Sequence, residues 1–535
     1  MKIQQTTAVF PNVSDNRKRN GVFLGKAQVI RVKGSAQYPR TRSRQGFVLL
    51  AVLVFIMMIS MVTVSLLFRS RAEETAANAG RGGEQAWAAA FSGVQEAMRL
   101  AALAKSGGDQ WIDNPAALRE RSVFEDGSDR WMFTVFSAGD SESQTEVRYG
   151  LVDEASRVNL NHPGGCDLGK IPRVTAAMVQ ALQRRMGQAP ANPKSVSPPE
   201  STTSAGSLEE LDALLELGSV QGEDMASSSW VPTPSTGPLA SLEELLAVPG
   251  FTRELIFGED ANFNGRLDPN ENDGDENPPA DNRDGRLDHG MAQYFTVGTY
   301  DPNRTSTGSP RVDLNNPAES LPSADFPAAF TNYVAALRSA KIRLGHPADV
   351  LEATIKVTDP QGQEVEVASG ITKEELPKIL DLFTTDKASR REGLINVNTA
   401  SAIVLATLPG LDLSQAETIV AARPSLRADK RTTPAWLLTE GLVDAPKFKQ
   451  IAPFLTAQSY QFDFHVIGYA LPSGQYRVLE VKIDMAETTP RITRIRDITR
   501  FGLPFNLLSN TLEQTTPGTA QSSPSLFSTP YRSHG

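Results

Sequence analysis

The stretch Arg42-Ser-Arg-Gln-Gly-Phe47, followed by an apolar run to Phe68, decides how this chain is organised. No charged residue occurs in the 22 residues from Phe47 to Phe68. As an α-helix they would be roughly 33 Å long, enough to cross a hydrocarbon core of about 30 Å. A cleavable secretory signal has a shorter apolar segment of about 7 to 15 residues, followed by small residues. The run therefore predicts a membrane-anchoring helix that stays on the protein.

Charge on the two sides of this run orients the helix. Residues 1–46 contain four Lys and six Arg against the single acid Asp15, a net charge of +9. Because cationic segments stay in the cytoplasm, the bulk of the chain is predicted to lie on the other side of the membrane. The whole chain carries −9, so residues 47–535 carry −18. A body this acidic repels nucleic acid, which is therefore not an expected partner.

The boundary between the leader and the run resembles the type IV prepilin signal. The resemblance implies that a prepilin peptidase cleaves after Gly46 and methylates the new amino terminus at Phe47. Most pilins have a glutamate five residues into the mature chain, where this sequence has Ala51. In a pilin fibre this glutamate neutralises the terminal ammonium of a neighbouring subunit within the membrane, where an unpaired charge is costly. A subunit with no preceding neighbour can therefore lack the glutamate. With Ala51 in place of the glutamate, the chain resembles the general secretion pathway protein K family. Its members are the large minor pseudopilins at the tip of the type II secretion pseudopilus.

That family resemblance carries further expectations. It implies a non-enzymatic subunit that caps the pseudopilus tip and supports protein export across the outer membrane. It places the chain in the inner membrane with a single pass and its C-terminal bulk in the periplasm. The implied partners are other minor pseudopilins and the prepilin peptidase, with the secretin and exported proteins as further candidates.

Hydrophobic periodicity predicts an α+β fold. A pilin-like antiparallel sheet is interrupted by a large, mainly helical insertion, because alternating segments occur only early (131–137 and 145–152) and late (461–469, 476–484 and 492–499). The predicted parts are a leader (1–46), a transmembrane and stem helix (47–105), the first part of the pilin-like domain (106–155), the insertion (156–455), its remaining strands (456–507) and a disordered tail (508–535).

Short motifs recur within the insertion. Three similar strings, Arg157-Val-Asn-Leu-Asn161, Arg311-Val-Asp-Leu-Asn315 and Ile395-Asn-Val-Asn398, predict short extended segments whose Asn side chains cap the next turn or helix. The third string leads into a helix-hairpin-helix pattern over 395–423, centred on Leu408-Pro-Gly-Leu411, and Val248-Pro-Gly-Phe251 is a weaker copy. The second glycine that DNA-binding hairpins use to approach phosphate is Asp412 here. We therefore interpret the hairpin as packing or protein-binding architecture.

The segment 259–290 predicts a calcium loop. Asp260-Ala-Asn-Phe-Asn-Gly-Arg-Leu-Asp-Pro-Asn-Glu271 matches the twelve-residue EF-hand loop, including the central Gly and the final Glu. No exit helix is evident, so the pattern favours a structural calcium loop over a full EF-hand; a solvated Asp/Asn/Gly loop is the alternative. The predicted ligands are the side chains of Asp260, Asn262, Asn264, Asp268 and Glu271 and the carbonyl of Arg266.

Part of this loop motif is repeated twenty residues later. Asn282-x-Asp284-Gly-Arg-Leu-Asp288 repeats the centre of the motif, but Ala280 and Met291 occupy the first and last ligand positions. A second, irregular site would need acids from the intervening segment. Its candidate ligands are Asp273, Asp275, Asp281, Asp284 and Asp288.

Two other functions remain as alternatives. A minor type IV pilin acting as an adhesin would share the anchor and the calcium loop, and a membrane-anchored protein of DNA uptake would use the hairpin. Catalysis has little support: five scattered His residues have no helical zinc spacing, and Cys166 is the single cysteine. The sequence does not distinguish type II secretion from a related type IV pilus system.

Overall fold

A computed structural model of the chain describes a long N-terminal helix and an α+β body. The predicted leader except for its last two residues, the predicted tail from 508 onward, and the predicted ligands Asn264 and Arg266 lie outside the described residues. The described residues are 45–104, 108–138, 147–187, 237–262, 267–322, 326–358, 362–487 and 489–504.

Ten α-helices are described, most of them short. They are α1 (Gln45–Ala104), α2 (Pro115–Leu118), α3 (Ala176–Arg185), α4 (Arg253–Phe257), α5 (Ala328–Ser339), α6 (Leu376–Leu382), α7 (Ala402–Ala406), α8 (Leu413–Ala422), α9 (Trp436–Thr439) and α10 (Ala445–Ile451).

Seventeen strands are described, several of only two residues. They are β1 (Arg121–Asp126), β2 (Asp129–Ala138), β3 (Val147–Arg148), β4 (Val152–Asp153), β5 (Val158–Asn159), β6 (Phe295–Thr296), β7 (Tyr300–Pro302), β8 (Val312–Asp313), β9 (Thr354–Thr358), β10 (Glu364–Ala368), β11 (Phe383–Thr384), β12 (Arg390–Glu392), β13 (Ile395–Asn396), β14 (Leu455–Thr456), β15 (Gln461–Leu471), β16 (Tyr476–Asp484) and β17 (Arg491–Asp497).

The chain divides into two compact units, residues 1–75 and residues 76–535. In the first unit, the described part of α1 exposes its apolar side chains from Leu49 to Phe68. In the second unit, α1 is unbroken at Gly80, Gly82 and Gly83, although these glycines predict a pause. Regular backbone hydrogen bonds on both sides carry a helix through isolated glycines at a cost of about 1 kcal/mol each.

The large sheet joins early and late strands, as the sequence predicts. Its order is β1-β2-β15-β16-β17, with β3 beside β2 and β4 beside β15. Every pairing is antiparallel, and β15 pairs with both β2 and β16 over most of its length. The α+β class, the long N-terminal apolar helix and the antiparallel sheet are thus confirmed. The predicted strand 145–152 is wrong in detail, because its described part forms two separate two-residue strands.

Small residues let the second part of α1 pack closely on this sheet. Ala86, Ala90, Val94 and Ala97 are fully buried at helical spacing. Opposite them, a Cβ atom on Gly468 of β15 would lie 2.1 Å from the Ala86 carbonyl oxygen. The helix backbone therefore approaches the strand more closely than a side chain on Gly468 would allow.

The three Asn-rich strings form three similar structures in the insertion. The pairs β5–β6, β8–β11 and β13–β14 are parallel and only two residues long. The last Asn of each string donates from Nδ2 to the carbonyl oxygen just beyond the partner strand: Asn161 to Val297 (2.7 Å), Asn315 to Thr385 (3.4 Å) and Asn398 to Ala457 (3.0 Å). We call these three strand pairs with their Asn side chains the Asn clasps.

The insertion also contains structure that the sequence pattern did not lead us to expect. Strands β9 and β10 form an antiparallel hairpin with Thr354 opposite Ala368. The alternation Ile355-Lys-Val-Thr and Glu364-Val-Glu-Val was a visible strand signal within a region interpreted as helical. Ile355 and Val367 pack against the cluster around Phe330.

The sheet and the insertion have separate hydrophobic cores. One core joins α1 to β2, β15 and β16 and contains Phe133, Phe464 and Val481. The largest core of the insertion contains buried residues from Val158 to Leu455 only. The two parts therefore meet mainly through polar side chains.

Candidate functional site

The predicted cleavage site lies at the start of the apolar helix. Gly46 and Phe47 are the second and third residues of α1, which begins at Gln45. The helix is long and apolar enough to cross a membrane, and its most apolar window has no residue buried in the protein. A single-pass membrane anchor is thus consistent with the described residues, while cleavage after Gly46 remains a prediction.

The described half of the first calcium loop brings its acids together. Asp260 and Glu271 are buried, with side chains 5% and 1% exposed. Glu271 accepts hydrogen bonds from the backbone N–H groups of Ala261 (2.8 Å) and Asp268 (3.0 Å). Asn262 Nδ2 donates to Asp268 Oδ2 at 2.7 Å. Three of the six predicted ligands, Asn262, Asp268 and Glu271, are therefore linked through one small network.

Electrostatics in this network favour a cation. Burial, with repulsion by the carboxylates of Asp260 and Asp268, raises the pKa of Glu271 to about 7, although its backbone hydrogen bonds oppose the shift. Burial and the nearby Asp288 also raise the pKa of Glu259. Desolvated carboxylates that repel one another fit a hard cation with oxygen ligands. Within the described residues no three His, Cys, Asp or Glu side chains form a metal-binding group by themselves.

The second acidic cluster is spread over several backbone turns. Asp281 accepts from the N–H groups of Asp273 (2.8 Å), Gly274 (2.7 Å) and Arg283 (2.8 Å). Asp284 accepts from Arg286 N at 2.8 Å and is exposed, as is Asp275. Asp281 and Asp284 are thus held by backbone N–H groups of the loop, and the acids of this cluster form no metal-binding group within the described residues.

Asp288 differs from the other acids of the second cluster. Its carboxylate accepts from Gly290 N (2.8 Å) and pairs with Arg173. Its backbone exchanges hydrogen bonds with Glu259, since Glu259 N donates to Asp288 O at 2.9 Å. The two ends of the segment 259–290 are thus joined at Glu259 and Asp288.

Both predicted hairpins consist of two short helical segments around a Pro-Gly turn. Helices α7 and α8 are joined through Gly410 (φ +74°), and Asp412 caps α8 by accepting from Gln415 N at 2.8 Å. In the weaker copy, Gly250 (φ +96°) joins the 3₁₀ helix Leu242–Ala247 to α4. Asp412 thus occupies the helix N-terminus with its own carboxylate, where a phosphate would otherwise bind.

The side chain of Lys170 holds the turn of the main hairpin. Lys170 Nζ donates to the carbonyl oxygens of Ala406 (2.7 Å) and Leu411 (2.9 Å). The hairpin is thereby tied to the segment just after the first Asn clasp. This contact supports a role in packing within the insertion.

Charged residues line a cavity of about 670 Å³ between the sheet and the insertion. Lys482 of β16 pairs with Glu154 (2.9 Å), and Arg157 pairs with Asp463 of β15 (3.5 Å). Burial alone would raise the pKa of Asp463, but Lys482 and Arg157 lower it overall. Sequence reasoning missed this network because alternating strands predict a polar face in solvent, whereas the insertion covers this face.

Asp153, beside this cavity, connects the segments at the two ends of the insertion. Its buried carboxylate accepts from Asn396 Nδ2 (2.8 Å), Thr399 Oγ1 (2.7 Å) and Ser459 Oγ (2.8 Å). Burial raises the pKa of Asp153, while these hydrogen bonds favour its charged form. One carboxylate thus links the entry and exit of the insertion to the third Asn clasp.

The third clasp, the main hairpin and the start of β15 coincide with a known family domain. Residues 395–463 match the family model described as type II secretion system (T2SS), protein K. A comparison with curated proteins finds no match. This match, more than 300 residues away in the chain, is to the family that Gly46, Phe47 and Ala51 led us to expect. Residues 395–463 therefore identify this chain as a protein with a domain of the type II secretion system protein K family.

Proposed function

We propose that this protein is the minor pseudopilin that caps the pseudopilus of a type II secretion system and supports protein export across the outer membrane. The observation that carries the proposal is the protein K match over residues 395–463. It agrees with an apolar N-terminal helix that can cross a membrane. It also agrees with a sheet packed on the second part of the same helix. The protein then acts as a structural subunit and not as an enzyme.

Size supports the tip position. A globular insertion of about 300 residues has a radius of gyration of roughly 19 Å. An insertion of that size obstructs the stacking of another subunit above it, so growth proceeds from below. The partners are then the smaller minor pseudopilins, joined through α1, and beyond them the secretin and exported proteins. The chain is placed in the inner membrane with its bulk in the periplasm.

Cleavage tests the assignment to the pilin pathway. The full chain is expressed with its prepilin peptidase, and the mature amino terminus is read by mass spectrometry. A methylated Phe47 is expected, and Gly46→Leu is expected to retain the leader. An intact leader in the unaltered chain, or a cut elsewhere, contradicts the proposal.

Deletion of the gene distinguishes a role in type II secretion from a role in a type IV pilus or a DNA-uptake system. In a deletion strain, exported proteins are expected to accumulate in the periplasm and to return to the medium when the full chain is restored. Co-purification of the smaller minor pseudopilins with the full chain is expected in the strain in which the chain has been restored. Normal secretion combined with loss of surface pili or of DNA uptake would assign the protein to a type IV pilus or a DNA-uptake system.

The segment 259–290 is proposed to bind structural calcium. The support is the buried carboxylates of Asp260 and Glu271 and the repulsion of Glu271 by Asp260 and the half-buried Asp268. Calcium loops outside the cytoplasm bind at about 10⁻⁴ to 10⁻³ M, so 10 mM calcium would stabilise the fold by about 1 to 3 kcal/mol. Thermal unfolding of the full chain in detergent, with calcium or with a chelator, measures this difference.

A pair of matched variants locates the calcium. Glu271→Gln removes the buried charge and is expected to abolish the stabilisation by calcium. Asp275→Asn changes an exposed acid of the same segment and is expected to retain most of it. Equal responses of both variants and the unaltered chain would place calcium elsewhere.

A further inference from the structure

A small cavity beside the second and third Asn clasps contains two arginines with unused hydrogen-bond donors. The cavity measures about 30 Å³ and is lined by Arg311, His346, Arg391 and Tyr460, among others. Arg311 Nη1 and Arg391 Nε are buried and have no hydrogen-bond partner among the described residues. Buried N–H groups of charged side chains are rarely left unpaired, so these donors point to a bound species.

Both guanidinium groups are held in place by their other nitrogen atoms. Arg311 Nε donates to the Asp381 carbonyl oxygen at 3.0 Å. Arg391 Nη2 donates to Asp301 Oδ2 at 3.0 Å, and Thr456 Oγ1 donates to the same oxygen at 2.7 Å. Oδ1 of Asp301, on the carboxylate that Arg391 contacts, is likewise buried and has no hydrogen-bond partner among the described residues. The contacts of the other nitrogen atoms therefore fix both guanidinium groups while Arg311 Nη1 and Arg391 Nε stay unused.

The walls of the cavity carry an excess of positive charge. Arg304, Arg311 and Arg391 line it, and Asp381 is the one acid among its described lining residues. The Asp381 carboxylate is already occupied, since it accepts from Ser306 N (2.7 Å) and Ser306 Oγ (2.8 Å). Burial, together with the charges of Arg391 and Arg311, lowers the pKa of His346 to about 3. His346 is thus neutral near pH 7, and the three arginines exceed Asp381 and Asp301, the carboxylate that Arg391 contacts, by one positive charge.

Volume restricts the possible occupants. A cavity of about 30 Å³ exceeds the roughly 10 to 15 Å³ that one water molecule needs and holds only a small occupant. We propose that Arg311 and Arg391 bind a single halide ion, chloride under physiological conditions, in this cavity. The ion would connect the second Asn clasp, which begins next to Arg311, to the third, which includes Thr456. A water molecule that bridges Arg391 to Asp301 is the competing occupant, and it would not respond to halide.

Thermal unfolding in matched salts tests the proposal. The full chain in detergent is unfolded in sodium chloride and in sodium gluconate at equal ionic strength, which keeps general screening constant. The midpoint is expected to rise with chloride concentration and to saturate, with no such rise in gluconate. Arg311→Gln and Arg391→Lys are each expected to raise the half-saturating chloride concentration at least tenfold. Arg343→Gln removes a charge at an exposed position outside the cavity lining and is expected to leave the half-saturating concentration within twofold.

Bromide provides a readout that does not depend on the variants. A crystal of the unaltered full chain grown in sodium bromide is expected to give an anomalous peak within the cavity, between Arg311 and Arg391. Equal midpoints in chloride and gluconate, or no bromide peak in the cavity, would overturn the proposal in favour of water. If both arginine variants fail to fold, the bromide peak alone decides.

Discussion

Asn398 uses both ends of its amide to hold the third clasp. Its Nδ2 donates to the carbonyl oxygens of Arg431 (2.8 Å) and Ala457 (3.0 Å). Its Oδ1 accepts from Trp436 Nε1 at 3.1 Å. An amide is the one side chain of this size that both donates twice and accepts. The recurring Asn of the sequence strings is therefore required by hydrogen bonding.

Replacing this amide by a carboxylate should destabilise the insertion. Asn398→Asp keeps the shape but directs an oxygen at two carbonyl oxygens, so we expect a loss of about 2 to 4 kcal/mol in the free energy of unfolding. Urea unfolding of the full chain in detergent measures it. The control Asn332→Asp lies at an exposed position of α5 and should change stability by less than about 0.5 kcal/mol. Similar small effects for both variants would contradict the role of the clasp.

His346 makes the stability of the insertion depend on pH. Its Nδ1 accepts from Ala348 N at 3.2 Å, and burial, with Arg391 and Arg311, lowers its pKa to about 3. The unfolded chain binds a proton near pH 6.5 while the folded protein does not. Stability from this group is thus fully present above about pH 6.5 and is lost as the pH falls toward 3, by up to about 1.4 kcal/mol per pH unit.

The variant His346→Asn separates titration from capping. Asn accepts the same kind of N-terminal hydrogen bond as His346 but does not titrate. Between pH 6 and pH 4.5, we expect the free energy of unfolding to fall less steeply with decreasing pH in this variant. The difference in slope should correspond to about one proton. Urea titrations at constant chloride concentration measure the two slopes. Parallel slopes would show that His346 is protonated in the folded state.

At the scale of the element, glycine sets the distance between α1 and β15. A Cβ on Gly468 would lie 2.1 Å from Ala86 O and 2.4 Å from Ala90 N, which are backbone atoms of a packed helix. Gly468→Ala should therefore separate the helix from the strand and cost about 3 kcal/mol or more. Circular dichroism during thermal unfolding gives the change in midpoint.

Gly80 of the same helix provides the opposite case. No atom lies within 4 Å of a Cβ built there, so Gly80→Ala adds helix propensity without a clash and should stabilise by about 0.5 to 1 kcal/mol. The same chemical change is thus expected to have opposite signs at the two positions. Destabilisation at Gly80 comparable to that at Gly468 would contradict this packing.

Elements with many alternating residues were predictable, and elements of two residues were not. The strands β2, β15 and β16 were predicted from alternation over seven to nine residues and are nine to eleven residues long. The parallel pairs of the clasps have two residues per strand, and their partners are up to 137 positions apart, as Val158 and Phe295 are. The Asn side chains were predicted to cap the adjacent turn or helix. Their bonds to distant carbonyl groups depend on tertiary structure that periodicity does not contain.

For the whole molecule, the prediction of a sheet interrupted by an insertion rested on where strand signals stop and resume. The sheet confirms that the early and late strands pair. The charged network between the two parts was not predictable, because Glu154, Arg157 and Lys482 are separated by up to 328 positions. The motif of the proposed first calcium loop was visible in the sequence. The electrostatic reason for a cation required the burial of Asp260 and Glu271.

Separate cores make the insertion separable from the sheet. The cores of the insertion contain buried residues from Val158 to Leu455, while the main core of the sheet uses α1, β2, β15 and β16. The entry and exit of the insertion meet at Asp153 and Ser459, whose side chains are 2.8 Å apart. Removing the insertion therefore leaves two chain ends that a short linker can join.

Excision should yield two folded proteins. Residues 156–457 expressed alone should unfold cooperatively in urea, because their hydrophobic clusters are complete. The remaining residues 76–155 and 458–504, joined by a Gly-Ser linker, should keep the antiparallel sheet and its packing on α1. Residues 76–155 alone lack β15, β16 and β17 and should not fold, which provides the control. Loss of cooperative unfolding in residues 156–457 would mean that the charged contacts with the sheet, and not the core from Val158 to Leu455, determine the fold of the insertion.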